Sequence, residues 1–181
     1  IGAGTGRYSV RLAEMGHNVT AVELVNKNVS QIKMKSSKII AKQGDARNLK
    51  KFKDESFDII FHPISNCYVE EVRPIFKECA RILKKGGILV AGLDNGINFI
   101  TNNEEMIENV FPFNPLKNEE QRRQLEEDDC GIQFSHTIEE NIGGQLEAGF
   151  MLTDIYEDTN GEGRLHELNI PTFYATRAVK K

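Results

Sequence analysis

Ile1-Gly2-Ala3-Gly4-Thr5-Gly6 opens the chain, and its reading decides the fold. Three glycines at alternate positions let a backbone turn sharply and approach a ligand that a Cβ would hold away. Residues 7–16 follow with Tyr8, Leu12 and Met15 on one helical face and a stop at Gly16. The apolar run Asn18-Val19-Thr20-Ala21-Val22-Glu23-Leu24 then closes on a carboxylate. Turn, helix, strand and acid in this order form half of a nucleoside-binding unit. Such a turn normally follows a central strand, of which Ile1 alone stands here, so the first strand of the sheet is expected to be largely missing and the N-terminus incomplete.

Outward from this unit, helix and strand patterns alternate. Asn26 to Ser36 has helical spacing through Val29, Ile32 and Lys33, with Asn26 as the expected N-cap. Lys38 to Gln43 reads as a strand ending in Gly44-Asp45-Ala46. Phe57-Asp58-Ile59-Ile60-Phe61 reads as a buried parallel strand, with Asp58 a candidate buried structural acid. Val72, Ile75, Phe76, Cys79, Ala80 and Leu83 follow a helical stripe. Lys84-Lys85 are expected to face that helix's C-terminal dipole and Gly86-Gly87 to end it, before a strand at Ile88–Leu93.

Residues 96–134 break the rhythm: they are polar, carry Pro112 and Pro115, and hold a charged helical stretch from Asn118 to Asp128. They read as an insertion in one domain that spans 1–181. A capping box, Thr137-Ile138-Glu139-Glu140, starts a helix that runs to about Ala148 and stops at Gly149. The strands Met151–Tyr156 and Thr172–Val179 are joined by a loop too short for a parallel crossover, so they are expected to be antiparallel neighbours. The pattern predicts an α/β fold: a Rossmann-like, doubly wound, seven-stranded sheet, mostly parallel with an antiparallel last strand.

The bulk properties narrow the partners. The longest apolar stretch, around Gly87–Leu93, falls far short of the roughly 20 residues a membrane helix needs. Cys67, Cys79 and Cys130 have no CxxC spacing, which fits reduced thiols and a cytoplasmic location better than disulfides or zinc. A net charge of −4 without a strong basic block argues against a nucleic-acid partner.

The motifs as a set resemble the class I S-adenosylmethionine-dependent methyltransferases over essentially the whole chain. The residues that carry the resemblance are Gly2-Ala3-Gly4-Thr5-Gly6, Glu23, Gly44-Asp45-Ala46, Phe57-Asp58-Ile59-Ile60, Ala80-Arg81-Ile82-Leu83-Lys84-Lys85-Gly86-Gly87 and Gln145-Leu146-Glu147-Ala148-Gly149-Phe150. A nicotinamide-type turn would need a third glycine where Arg7 stands. Ser65-Asn66-Cys67-Tyr68, Ile142-Gly143-Gly144-Gln145 and Asp158-Thr159-Asn160-Gly161 are similar to a bacterial subgroup that acts on small molecules of unassigned identity.

The resemblance implies roles. Gly2, Ala3, Gly4 and Gly6 would line the methionyl end of S-adenosyl-L-methionine. Glu23 would accept from both ribose hydroxyls, Leu24 would pack on the adenine, and Asp45 with the Ala46 N–H would read the adenine edge. His62-Pro63-Ile64-Ser65-Asn66 holds the position that touches the methyl-transfer centre in this family, so His62 would also contact the cofactor. It lacks the Asn/Asp-Pro-Pro-aromatic run of exocyclic-amine methylation and the Pro-Cys pair of cytosine-C5 transfer, so Cys67 reads as a packing thiol.

Three of the four histidines, His62, His136 and His166, fall on the carboxyl rim of the sheet by topology. His136 is the leading candidate for a base or a substrate hydrogen-bonder, with His62 second. No local pair of metal ligands accompanies them, and no metal is expected. The 96–134 insertion would be a lid lined by Phe99, Met106, Ile107, Val110, Phe111 and Phe113, or those residues would dock it to the core. The function implied is direct in-line methyl transfer to a small-molecule acceptor, leaving S-adenosyl-L-homocysteine; the acceptor atom stays open. The alternatives are an RNA-modifying methyltransferase and a module that binds the cofactor without catalysis.

Overall fold

The structure is a computed structural model and describes residues 1–102 and 104–181. Its elements run α1 (Arg7–Glu14), β1 (Val19–Glu23), α2 (Asn26–Lys35), β2 (Ile39–Gln43), β3 (Phe57–Pro63), α3 (Arg73–Ile82) and β4 (Leu83–Asp94). Then come α4 (Ile97–Ile100), α5 (Glu119–Glu127), a π-helical turn (Glu139–Gly143) leading into α6 (Gly144–Glu147), β5 (Phe150–Asp158), α7 (Gly163–Glu167) and β6 (Phe173–Lys180).

The strands form two ladders, β1-β2 and β3-β4-β6-β5. Both β1·β2 and β3·β4 are parallel, whereas β6 runs antiparallel to β4 and to β5. The expected antiparallel closing pair is therefore present, with β6 inserted between β4 and β5. Among the described residues six strands form, which is the seven-stranded pattern without its first strand, as expected. The glycine turn bridges the gap between the ladders: Ala3 N–H donates to Val22 O at 3.1 Å and the Ile1 nitrogen to Phe61 O at 2.8 Å.

Adjacent residues of β1 show why the sheet is covered twice. Ala21 packs with Ala13, Ile32 and Ile39 under α1 and α2, while Val22 packs with Ile75, Phe76 and Leu89 under α3. Successive side chains of a strand point to opposite faces, so the two helical layers lie on opposite sides. The larger core centres on Phe76, fully buried against the sheet, with Gly144 of α6 so close that a Cβ there would meet the Phe76 ring at 2.9 Å.

Three local expectations change. Helix α2 is capped by Val25 without a side-chain bond, not by Asn26. Helix α3 ends at Ile82, four residues before the glycine pair. Leu83 already pairs with Phe57, and Lys84–Gly87 loop out before Ile88 rejoins β3 opposite Ile59. Gly87 is needed there because a Cβ would stand 2.7 Å from the Lys84 carbonyl oxygen. Lys84 consequently leaves the helix end and reaches Asp58 at 2.7 Å. Asp58 is thus no buried acid; its side chain is 78% exposed and paired with Lys84.

The capping box forms as read: Glu140 N–H donates to Thr137 Oγ1 at 3.1 Å and Thr137 N–H to Glu140 Oε2 at 2.8 Å. The core geometry sets a test. Phe76→Ala, which empties the centre of the α3 layer, is expected to cost about 3–5 kcal/mol in urea unfolding. A loss below about 1 kcal/mol would show that this layer is not packed as described.

Candidate active site

In an open α/β sheet, ligands sit beyond the carboxyl ends of the strands, and here Gly2–Gly6, Glu23, Asp45, His62 and Asp94 all lie at those ends. The three glycines do different things. Gly2 (φ +62°) leaves no room for a Cβ beside Ser65, and at Gly6 (φ +87°) a Cβ would stand 2.8 Å from Ile32 Cγ1. Both seat the turn on its neighbours. Gly4 (φ +53°) faces open space, with nothing within 4 Å of an added Cβ. Lys35 holds the turn from α2, its Nζ donating to Thr5 O at 2.7 Å.

Glu23 is buried at the end of β1, and its two oxygens are held by the main chain. Gly4 N–H donates to Oε2 at 2.8 Å and Val25 N–H to Oε1 at 2.9 Å. One further lone pair on each oxygen remains for a diol. Leu24 beside it is 58% exposed and able to cover a flat ring, whereas Ala46 is part-buried against the core. Asp45 is committed elsewhere. It accepts from the Arg47 guanidinium, with an ion pair of 2.6 Å, and from the Arg47 N–H at 2.8 Å. Those hydrogen bonds from Arg47 hold its carboxyl below the usual carboxylate range. Asp45 lines a cleft of about 210 Å³ with Val22, Gln43, Gly44 and Leu49, a lining that includes neither Glu23 nor Leu24.

His62 is a wall residue and not the second base that the sequence suggests. It is fully buried, with Nε2 2.6 Å from Asn66 Oδ1 and Nδ1 3.2 Å from Ser65 Oγ. Burial pushes its pKa down to about 4. The neutral ring therefore donates from Nε2 to Asn66 and accepts at Nδ1 from the Ser65 hydroxyl. Asn66 passes the order on, its Nδ2 donating to Asn141 Oδ1 at 2.9 Å.

His136 is buried too, but one nitrogen is less committed. Its Nε2 meets Asn66 O at 3.1 Å, while Nδ1 lies 3.9 Å from Glu140 Oε2. It lines a second cleft, of about 440 Å³, with Glu70, Glu71, Asn114, Gln121 and Ser135. His166 stands apart, exposed at the α7 loop with Nδ1 on Thr159 Oγ1. Cys67 is a buried thiol pushed up to about 12 by burial and then by the charge of Asp94, which suits packing and not nucleophilic attack.

The sequence reading missed the buried Asn141, Asp94 and Tyr174. Ser65-Asn66 was visible as a motif, but a buried amide network has no periodic signature. Among the described residues, no helix is long and apolar enough to cross a membrane.

This geometry agrees with the family comparison: residues 1–91 match the family model described as a methyltransferase domain. The chain belongs to that methyltransferase family. An uncharacterized methyltransferase of Bacillus subtilis (strain 168), YbaJ, is 34% identical over 192 residues, covering 99% of this chain and 74% of the relative. A solved S-adenosylmethionine-dependent methyltransferase from Mesorhizobium loti superposes with a TM-score of 0.77 at 17% identity, covering 99% of this chain and 88% of that one. A Pyrococcus horikoshii protein gives 0.71 at 21% identity, with 99% and 79% covered. At those identities the two structures show the fold. Family and fold together make this methyltransferase S-adenosylmethionine-dependent. The open space at Gly4 and the free lone pairs of Glu23 suit a cofactor with a flexible tail and a ribose diol.

His62 makes acid stability a readout of the buried wall. Its folded pKa of about 4 lies below the unfolded value of 6.5, so the unfolded chain alone takes up a proton between them. The stability present above pH 6.5 should fall progressively as pH drops toward 4, by on the order of 3 kcal/mol. In urea unfolding at stepped pH, His62→Gln should flatten the decline between about pH 6.5 and 5. An unchanged slope would contradict the buried, neutral His62.

Proposed function

We propose that this methyltransferase acts on a small-molecule acceptor bound in the second cleft. The observation that carries the reading is the cleft itself. Its volume of about 440 Å³ lies in the range of small-ligand pockets, and its lining sets Glu70, Glu71 and Glu140 against one lysine, Lys117, and His136. That lining repels a phosphate backbone, which disfavours RNA, as does the net charge of −4. Free Cys67, Cys79 and Cys130 support a reducing, cytoplasmic setting.

The geometry supports a set of roles within this reading. Gly4 and its neighbours Gly2, Ala3 and Gly6 shape the bed for the methionyl part, Glu23 takes the ribose hydroxyls, and Leu24 covers the adenine. Ala46 N–H would meet the adenine edge, and Asp45 would reach it only by sharing Arg47. S-adenosylmethionine, when bound, supplies a methyl group on a sulfonium whose sulfur leaves as a neutral thioether. The protein then has to align the acceptor and exclude water. The rigid His62–Asn66–Asn141 wall fixes one side. Nδ1 of His136 is placed to take a proton from an acceptor that must lose one.

The 96–134 segment serves as the lid of this single domain. Its base is anchored: Phe113 N–H donates to Ser135 Oγ at 2.7 Å, and buried Gln121 accepts from Asn114 N–H at 2.7 Å and donates to Val110 O at 2.9 Å. Phe113 packs against Phe99 with tilted rings 5.8 Å apart and docks the lid, while Met106, Ile107 and Val110 stay exposed. Of the six apolar lid residues, Phe113 thus belongs to the docking role.

The reading is tested with methyl-tritiated S-adenosylmethionine in a cell extract depleted of endogenous cofactor. Label should appear in the fraction that passes a 3-kDa-class filter and be lost with heat-killed protein. Label retained on RNA or protein alone would refute a small-molecule acceptor. Cofactor binding without any transfer would favour a non-catalytic module.

A further inference from the structure

Three buried side-chain atoms at the carboxyl edge have no hydrogen-bond partner among the described residues: Asp94 Oδ1, Asn141 Nδ2 and Tyr174 Oη. Their side chains are at most 6% exposed. An unpaired buried polar group costs about 1–3 kcal/mol, so three together call for a ligand or ordered water.

They share one neighbourhood. Asp94 ends β4, one step beyond the Leu93–Tyr174 pair of the β4·β6 ladder. Asp94 lies within electrostatic reach of His136, and its charge raises the Cys67 thiol and the Tyr174 phenol, while the Tyr174 hydroxyl adjoins the Asn141 amide. Asn141 is oriented by its own carbonyl, which accepts from Asn66 Nδ2 at 2.9 Å, so its amide nitrogen is turned toward the Tyr174 hydroxyl without closing a full hydrogen bond to it. His136, bonded to Asn66 O and within reach of the Asp94 charge, lines the second cleft.

The complement of these atoms is specific. The carboxylate oxygen accepts, the amide nitrogen donates, and the phenol does either. A neutral hydroxyl donates once and accepts twice, which satisfies all three. An ammonium group accepts nothing and strands Asn141 Nδ2; a carboxylate donates nothing and meets Asp94. We infer that Asp94, Asn141 and Tyr174 form a recognition site for a hydroxyl group of the methyl acceptor. This rests on the small-molecule reading above and adds to it the chemical class of the substrate.

The test uses tritiated S-adenosylmethionine and a panel of small alcohols and phenols, each paired with its hydroxyl-free and its amine counterpart. Wild type, Asp94→Ala and Tyr174→Phe are compared, with S-adenosylhomocysteine titrated into each. Hydroxyl-bearing members should be used with a KM at least tenfold below their counterparts, as expected for a site built to hydrogen-bond its substrate. That preference should vanish in both variants, with S-adenosylhomocysteine affinity within about twofold of wild type. Tyr174→Phe removes a single oxygen, so it decides the matter if Asp94→Ala unfolds. Equal use of hydroxyl-free or amine members overturns the inference. So does a hydroxyl preference that survives in Tyr174→Phe, which would leave the three atoms to ordered water. Label on macromolecules alone would instead sink the small-molecule reading beneath it.

Discussion

The carboxylate of Glu23, shared between the N–H groups of Gly4 and Val25, is the contact on which the site depends. It pins the glycine turn to the end of β1 while leaving acceptor capacity on the same two oxygens. The turn in turn spans the gap between the ladders, through Val22 on one side and Phe61 on the other. One buried acid therefore couples the joining of the two sheets to the shape of the cofactor bed. Hydrogen bonds to an ionised acceptor are about twice as strong as neutral ones, which suits it to this double duty.

The opposite wall is built on another principle. His62, Asn66, Asn141, Gln145 and Thr176 form a chain of side-chain and main-chain hydrogen bonds, ending with Thr176 Oγ1 donating to Gln145 Oε1 at 3.0 Å. Each member fixes the orientation of the next, so the wall is rigid without carrying charge. In-line transfer from an already activated methyl group asks mainly for such alignment and for dry surroundings. A buried neutral His62 meets that need, whereas His136 Nδ1 has Glu140 Oε2 at 3.9 Å as its near polar neighbour.

Much of the scaffold was legible in the sequence because periodicity reports burial. The α1–β1–α2–β2 unit, the α3 stripe, the capping box at Thr137 and the antiparallel closing pair all follow from spacing and turn chemistry. Errors arose where a tertiary partner decides. Asp58 looked buried because its strand neighbours are apolar, yet it turns outward to Lys84. The Lys84–Gly87 run looked like a helix end, but Leu83 is drawn into the β3 ladder first. Of the site, Glu23 and the glycines could be found by motif. The commitment of Asp45 to Arg47 could not, nor could the meeting of Asn66, Asp94, Asn141 and Tyr174, residues that are distant in the chain.

Titration calorimetry of S-adenosylhomocysteine against wild type, Glu23→Gln and Glu23→Ala tests the central claim most directly. Glu23→Gln places an amide where two main-chain N–H groups point, and Glu23→Ala removes both acceptors. The account predicts affinity at least tenfold weaker in each, equivalent to about 1.4 kcal/mol, with the sheet still melting cooperatively. Wild-type affinity in Glu23→Ala would contradict it.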